Sequence, residues 1–110
     1  MAFKQAAIKV EKEREFGALK SAVEQAFSAG QIEKYLKKLD SRNVRVRDLD
    51  AVLAAGVLDS AVGAKAGTAR SFYQALTVSD QAQMREFYLS KLEGVEVGLR
   101  HKFKKLYQYY

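Results

Sequence analysis

The chain has 110 residues, 48% of them apolar, with nineteen lysines and arginines against thirteen acids and a net charge of +6. That length sets one domain, residues 1–110, as the expectation and suffices for a core without covalent staples. Cysteine, proline and tryptophan are absent, which excludes disulfides and thiolate metal sites and suits an architecture built mostly of helices.

The N-terminus lacks the uninterrupted apolar segment of a signal peptide, and by Glu11–Glu15 it is a dense charge run. The longest apolar stretch, Ala51 to Leu58, is too short to span a bilayer. These features predict a soluble, cytoplasmic protein. A first long helix is expected over residues 3–29, with Gly30 as a left-handed cap. Phe16, Leu19, Val23 and Phe27 share one face of it, whereas Phe3, Ala6, Ala7 and Val10 share another. The C-terminal half should therefore enter the core. The N-terminal half should pack on a different neighbour in the same bundle, the alternative being an arm that reaches a second subunit.

Residues 31–40 predict a short helix with Ile32, Tyr35, Leu36 and Leu39 inward, stopped near Asn43. Val44-Arg45-Val46-Arg47 alternates and should be extended, though four residues cannot form a sheet alone. Asp48 is placed to cap a helix from Leu49 to Ala55, ended by Gly56. Asp59 or Ser60 would cap the next, running to about Leu76 with Val62, Ala66, Ala69, Tyr73 and Leu76 as its seam. Its small residues include Gly63 and Gly67. Either this pair or Gly94 and Gly98 should mark a close helix crossing.

Ser79 or Asp80 would cap a final helix over residues 80–109. Met84, Tyr88, Leu92, Val95, Leu99, Phe103, Leu106 and Tyr110 recur with an eleven-residue period, which holds one stripe along a long, nearly straight helix. The expected fold is all-α, a single compact bundle of about five helices with long first and last members.

No motif specifies a chemistry. Gly63-Ala-Lys-Ala-Gly-Thr68 lacks the lysine directly after the second glycine that a phosphate loop needs. Residues 48–70 could be arranged as helix-turn-helix. The second helix would then offer bases only Lys65, Thr68 and Arg70, without the bidentate groups that read sequence. His101 is the one histidine and lies off the apolar stripe. Glu96 and Arg100 are spaced as a helix-surface pair. The chain is therefore expected to be non-enzymatic, with no metal or cofactor.

The binding candidates are two basic clusters. One comprises Lys34, Lys37, Lys38, Arg45 and Arg47, with Arg42 among them. The other follows Glu96, after which there is no acid, and includes Lys102, Lys104 and Lys105 interleaved with Tyr107 and Tyr109. Aromatics among lysines can complete a core, anchor a protein interface, or stack on unpaired bases while lysines neutralise phosphates. The leading expectation is an interaction module acting through protein–protein contacts, including self-association. The second is a small basic nucleic-acid-binding protein.

Overall fold

A computed structural model describes the backbone of residues 2–62, 65 and 67–107, and the side chains from residue 13 onward within those ranges. The described residues form seven α-helices and a closing 3-10 turn, with no strand. The helices are α1 (Ala2–Ala26), α2 (Ile32–Ser41), α3 (Leu49–Ala54), α4 (Asp59–Val62), α5 (Thr68–Ala75), α6 (Val78–Glu93) and α7 (Val97–Lys102); the 3-10 turn is Lys104–Tyr107. No helix is long and apolar enough to cross a membrane.

The C-terminal half of α1 is the spine. Leu19, Ala22 and Val23 are buried, with Phe16 and Phe27 packed at the edge, and α1 lies against α4, α5 and α6. The helix stops at Ala26 rather than residue 29, and Gly30 follows at φ +82°, a conformation glycine adopts without strain. The Phe3–Val10 face lies outside the described side chains. In α2, Tyr35, Leu36 and Leu39 face inward as their spacing predicts, and Asn43 turns the chain at φ +53°. Asp48 caps α3 by accepting from the Ala51 N–H at 3.1 Å.

Two expected helices are broken. The helix expected from Asp59 or Ser60 to Leu76 is divided into α4 and α5. Gly67 sits between them at φ +82°. Asp59 is buried, and its two carboxylate oxygens accept from Gly67 N–H at 2.7 Å and Ala69 N–H at 3.0 Å. It thus caps α5 across the break and satisfies donors that a helix start leaves open. The helix-turn-helix arrangement fails for the same reason, because α4 is only four residues long.

The final helix is the larger correction, and with it the expectation of five helices with a long last member. The chain is helical from Val78 to Glu93, becomes extended at Glu96, and resumes as the six-residue α7. Its cap is Thr77, whose hydroxyl accepts from Asp80 N–H at 3.1 Å, rather than Ser79 or Asp80. Met84, Tyr88, Leu92, Val95, Phe103 and Leu106 are nonetheless buried, while Leu99 is only partly so. The stripe turns inward along a bent path. Neither Gly94 nor Gly98 marks a close crossing. A methyl at Gly98 meets nothing within 4 Å, and one at Gly94 only carbonyls of its own helix. Gly67 has a conformational role, and its expected partner Gly63 lies outside the described residues.

Residues 44–47 do not run extended as expected but turn at Val46 and Arg47, where the Asp48 N–H donates to the Arg45 carbonyl at 3.2 Å. A buried hydroxyl chain fixes this segment to the core. The Tyr88 hydroxyl donates to the Val46 carbonyl at 2.6 Å and lies 2.6 Å from the Tyr35 hydroxyl. With its one proton committed to Val46, Tyr88 accepts from Tyr35. On its other side Val46 donates its N–H to the Leu106 carbonyl at 3.1 Å. Val46 is therefore held between α6 and the 3-10 turn.

Candidate basic binding face

The break between α6 and α7 brings the two basic clusters together. The 3-10 turn packs against α2 as well as α7, and the Val46–Leu106 hydrogen bond lays the 44–47 segment beside it. Val46 is buried while Arg45 and Arg47 on either side of it are exposed. Glu33 of α2 joins the clusters directly: Lys102 Nζ lies 3.1 Å from its Oε1 and Lys37 Nζ 3.4 Å from its Oε2. The hydrogen bond and charge of Lys102, then those of Lys37, hold the Glu33 carboxyl below the usual carboxylate range.

Together, residues 32–47 and 97–107 hold ten of the nineteen lysines and arginines and two of the thirteen acids. The rest of the chain carries nine basic and eleven acidic groups, so its balance is slightly negative. The net +6 therefore comes from these two segments, against a near-neutral remainder.

Lys37 and Lys102 meet at Glu33, Lys104 lies beside Tyr107, Arg47 is near enough to act on the Tyr107 phenol, and Arg45 and Lys105 are exposed in the segments that meet there. Lys34 and Lys38 do not share the centre of this face. They lie on the other flank of α2, lining a shallow depression of about 350 Å³ with Gln31, Tyr35 and Val57. Tyr109, like the stripe residue Tyr110 and the seam residue Ala66, lies outside the described residues. Three further residues join the face. Arg100 sends its Nε–H to the Val95 carbonyl at 3.0 Å rather than pairing with Glu96. Val97 is 59% exposed, and Glu33 is the acid that bridges the clusters. Arg100 was visible in the C-terminal charge run, whereas nothing local in the sequence marks Glu33 or Val97.

Tyr107 sits between the two clusters. Burial raises its phenol above the ordinary range, opposed by the charges of Arg100 and Arg47. Its hydroxyl oxygen is shielded from solvent and has no hydrogen-bond partner among the described residues. Val97, Arg100, His101, Lys104 and Tyr107 line an open depression of about 370 Å³. A larger depression, about 780 Å³, lies between the α1–α2 and α6–α7 turns, where Glu33, Glu96 and Lys91 rim the apolar Phe27, Ile32, Val95 and Leu99. Two carboxylates make that depression unfavourable to an anion. Among the described residues no group of histidines and carboxylates is placed to hold a metal ion. No protein family model, curated protein or solved structure matches this chain.

Proposed function

We propose that the protein is a non-catalytic nucleic-acid-binding module whose affinity comes from the face formed by Lys37, Arg47, Arg100, Lys102, Lys104 and Lys105. The observation that carries this reading is the junction of α2, the 44–47 segment and the 3-10 turn. It brings cations of two distant segments toward one surface, with Lys34 and Lys38 left on the opposite flank of α2. Charges within a Debye length of about 8 Å add their potentials. A face of this kind contacts phosphates without reading bases. An apolar self-association seam has less support, since the exposed large hydrophobic residues among those described are Val78 and Val97, on different helices.

The test is fluorescence anisotropy with a labelled oligonucleotide across a salt titration. Binding at low salt should weaken by about 0.9 log unit per log unit of salt for each duplex phosphate neutralised. Replacing Lys104 and Lys105 by glutamate should weaken all sequences alike and flatten the salt slope by about two units or more. Absence of binding at low salt refutes the reading. Equal affinity for polyglutamate would redirect it to an acidic protein partner.

A further inference from the structure

We infer that the depression between α7 and the 3-10 turn is a subsite for one unpaired nucleotide, with the base against Val97 and Tyr107 and the phosphate on Arg100 and Lys104. This rests on the nucleic-acid reading and adds to it a preference for single strands over duplex.

The depression combines two chemistries. Its apolar lining comes from Val97 and Tyr107 and its polar rim from Arg100, His101 and Lys104, with no acid among them. Tyr107 is partly exposed, yet its hydroxyl oxygen is shielded and has no partner among the described residues. The part of the residue that solvent reaches is therefore not its polar tip. A phenol so oriented suits a flat apolar ligand better than a hydrogen-bonding one. Arg100 is anchored through Nε on the Val95 carbonyl, which fixes the guanidinium and keeps its terminal nitrogens as donors. An ordered guanidinium beside an aromatic ring matches a base joined to its phosphate. The larger depression suits the same ligand less well, because Glu33 and Glu96 stand at its rim with Lys91. A duplex offers the face its phosphates, but its bases are already stacked and paired, so only a single strand can fill the depression.

The test compares oligo(dT) with a duplex of equal length, at low salt, on the full chain. Tyr107→Ala should weaken oligo(dT) by about 5- to 100-fold and the duplex by no more than about twofold. Tyr107→Phe, which keeps the ring and removes the shielded hydroxyl, should bind both as the parent does. Far-UV circular dichroism checks that Tyr107→Ala remains folded. Val97→Trp supplies an independent reading that leaves the core untouched: the indole, alone of its kind in the chain, should be quenched by oligo(dT) and not by duplex. Equal loss on both nucleic acids, no loss on either, or indole quenching that does not distinguish them overturns the subsite and leaves the basic face standing. If the parent binds neither at low salt, the nucleic-acid reading itself has failed and the subsite falls with it.

Discussion

The Tyr35–Tyr88–Val46 chain makes an asymmetric prediction. Tyr88, Tyr35 and Val46 are 0%, 3% and 0% exposed, so no water relieves a lost partner. Tyr88→Phe removes the acceptor of the Tyr35 hydroxyl and the donor to the Val46 carbonyl, and leaves both buried. An orphaned buried polar group costs about 1–3 kcal/mol, and removing Tyr88's own desolvated oxygen returns part of that. The net loss should be about 3 kcal/mol. Tyr35→Phe removes the end of the chain and leaves Tyr88 donating to Val46, for a loss of about 1 kcal/mol. The decisive variant is the double one. Once Tyr88 is phenylalanine, changing Tyr35 as well removes an orphan, so the pair should be about 1 kcal/mol more stable than Tyr88→Phe alone. Urea unfolding followed by far-UV circular dichroism measures all three, provided the slope with denaturant is unchanged. A loss of about 3 kcal/mol is a large share of a typical 5–15 kcal/mol domain stability, but compatible with a folded variant. If Tyr35→Phe costs as much as Tyr88→Phe, or the double variant is the least stable, the donor order is wrong.

The same hydroxyls should make the fold sensitive to alkali. Burial pushes the Tyr35 and Tyr88 phenols well above their ordinary value. The unfolded chain therefore loses these protons first as pH rises. Stability should be fully present below about pH 10 and fall above it. In a spectrophotometric titration these two tyrosines should ionise together with unfolding, and ordinary ionisation of all tyrosines before the helical signal is lost would contradict this. Glu33→Gln removes the carboxylate that bridges Lys37 and Lys102. An exposed bridge contributes little stability, so unfolding should shift by less than about 0.5 kcal/mol. Oligonucleotide affinity at low salt should rise by severalfold, since two cations are released to phosphates. Unchanged or weakened binding would mean that Glu33 organises the face instead of competing for it.

Much of the interior was legible because periodicity reports which side chains face inward. Leu19 and Val23, then Tyr35, Leu36 and Leu39, then Met84, Tyr88 and Leu92 are buried as their spacing requires. What periodicity does not report is whether the backbone between them runs straight. The steps through Leu92, Val95, Leu99 and Phe103 fit a continuous helix, yet Leu99 is half-buried because the path bends at residues 94–96. The local warning was weak propensity, with Gly94, Val95, Val97 and Gly98 around Glu96. The break at Gly67 had a stronger cause and a fainter signal. Asp59 acts eight and ten residues away, beyond any local capping pattern. Thr77 with Asp80 was a readable cap, obscured by Val78, an apolar residue that is 81% exposed at the first helical position.

The basic runs could be read directly, but whether they formed one surface depended on that same bend. On a straight helix continuing α6, Lys105 would stand about 18 Å beyond Glu93. That would carry it more than twice the screening length of about 8 Å from the end of α6. The break instead returns the chain until Leu106 accepts from Val46 and Lys102 reaches Glu33, from partners sixty and sixty-nine residues earlier. The stripe residues Phe103 and Leu106 drive this return, since the bent path buries them at 8% and 5% exposure. Apolar burial thus decides the electrostatics. The lysines between and beside those anchors are carried onto α2's cations against their mutual repulsion, with Glu33 as the counter-charge at the seam. A like-charge junction assembled by the core is the physical reason to look for an anionic partner at this face.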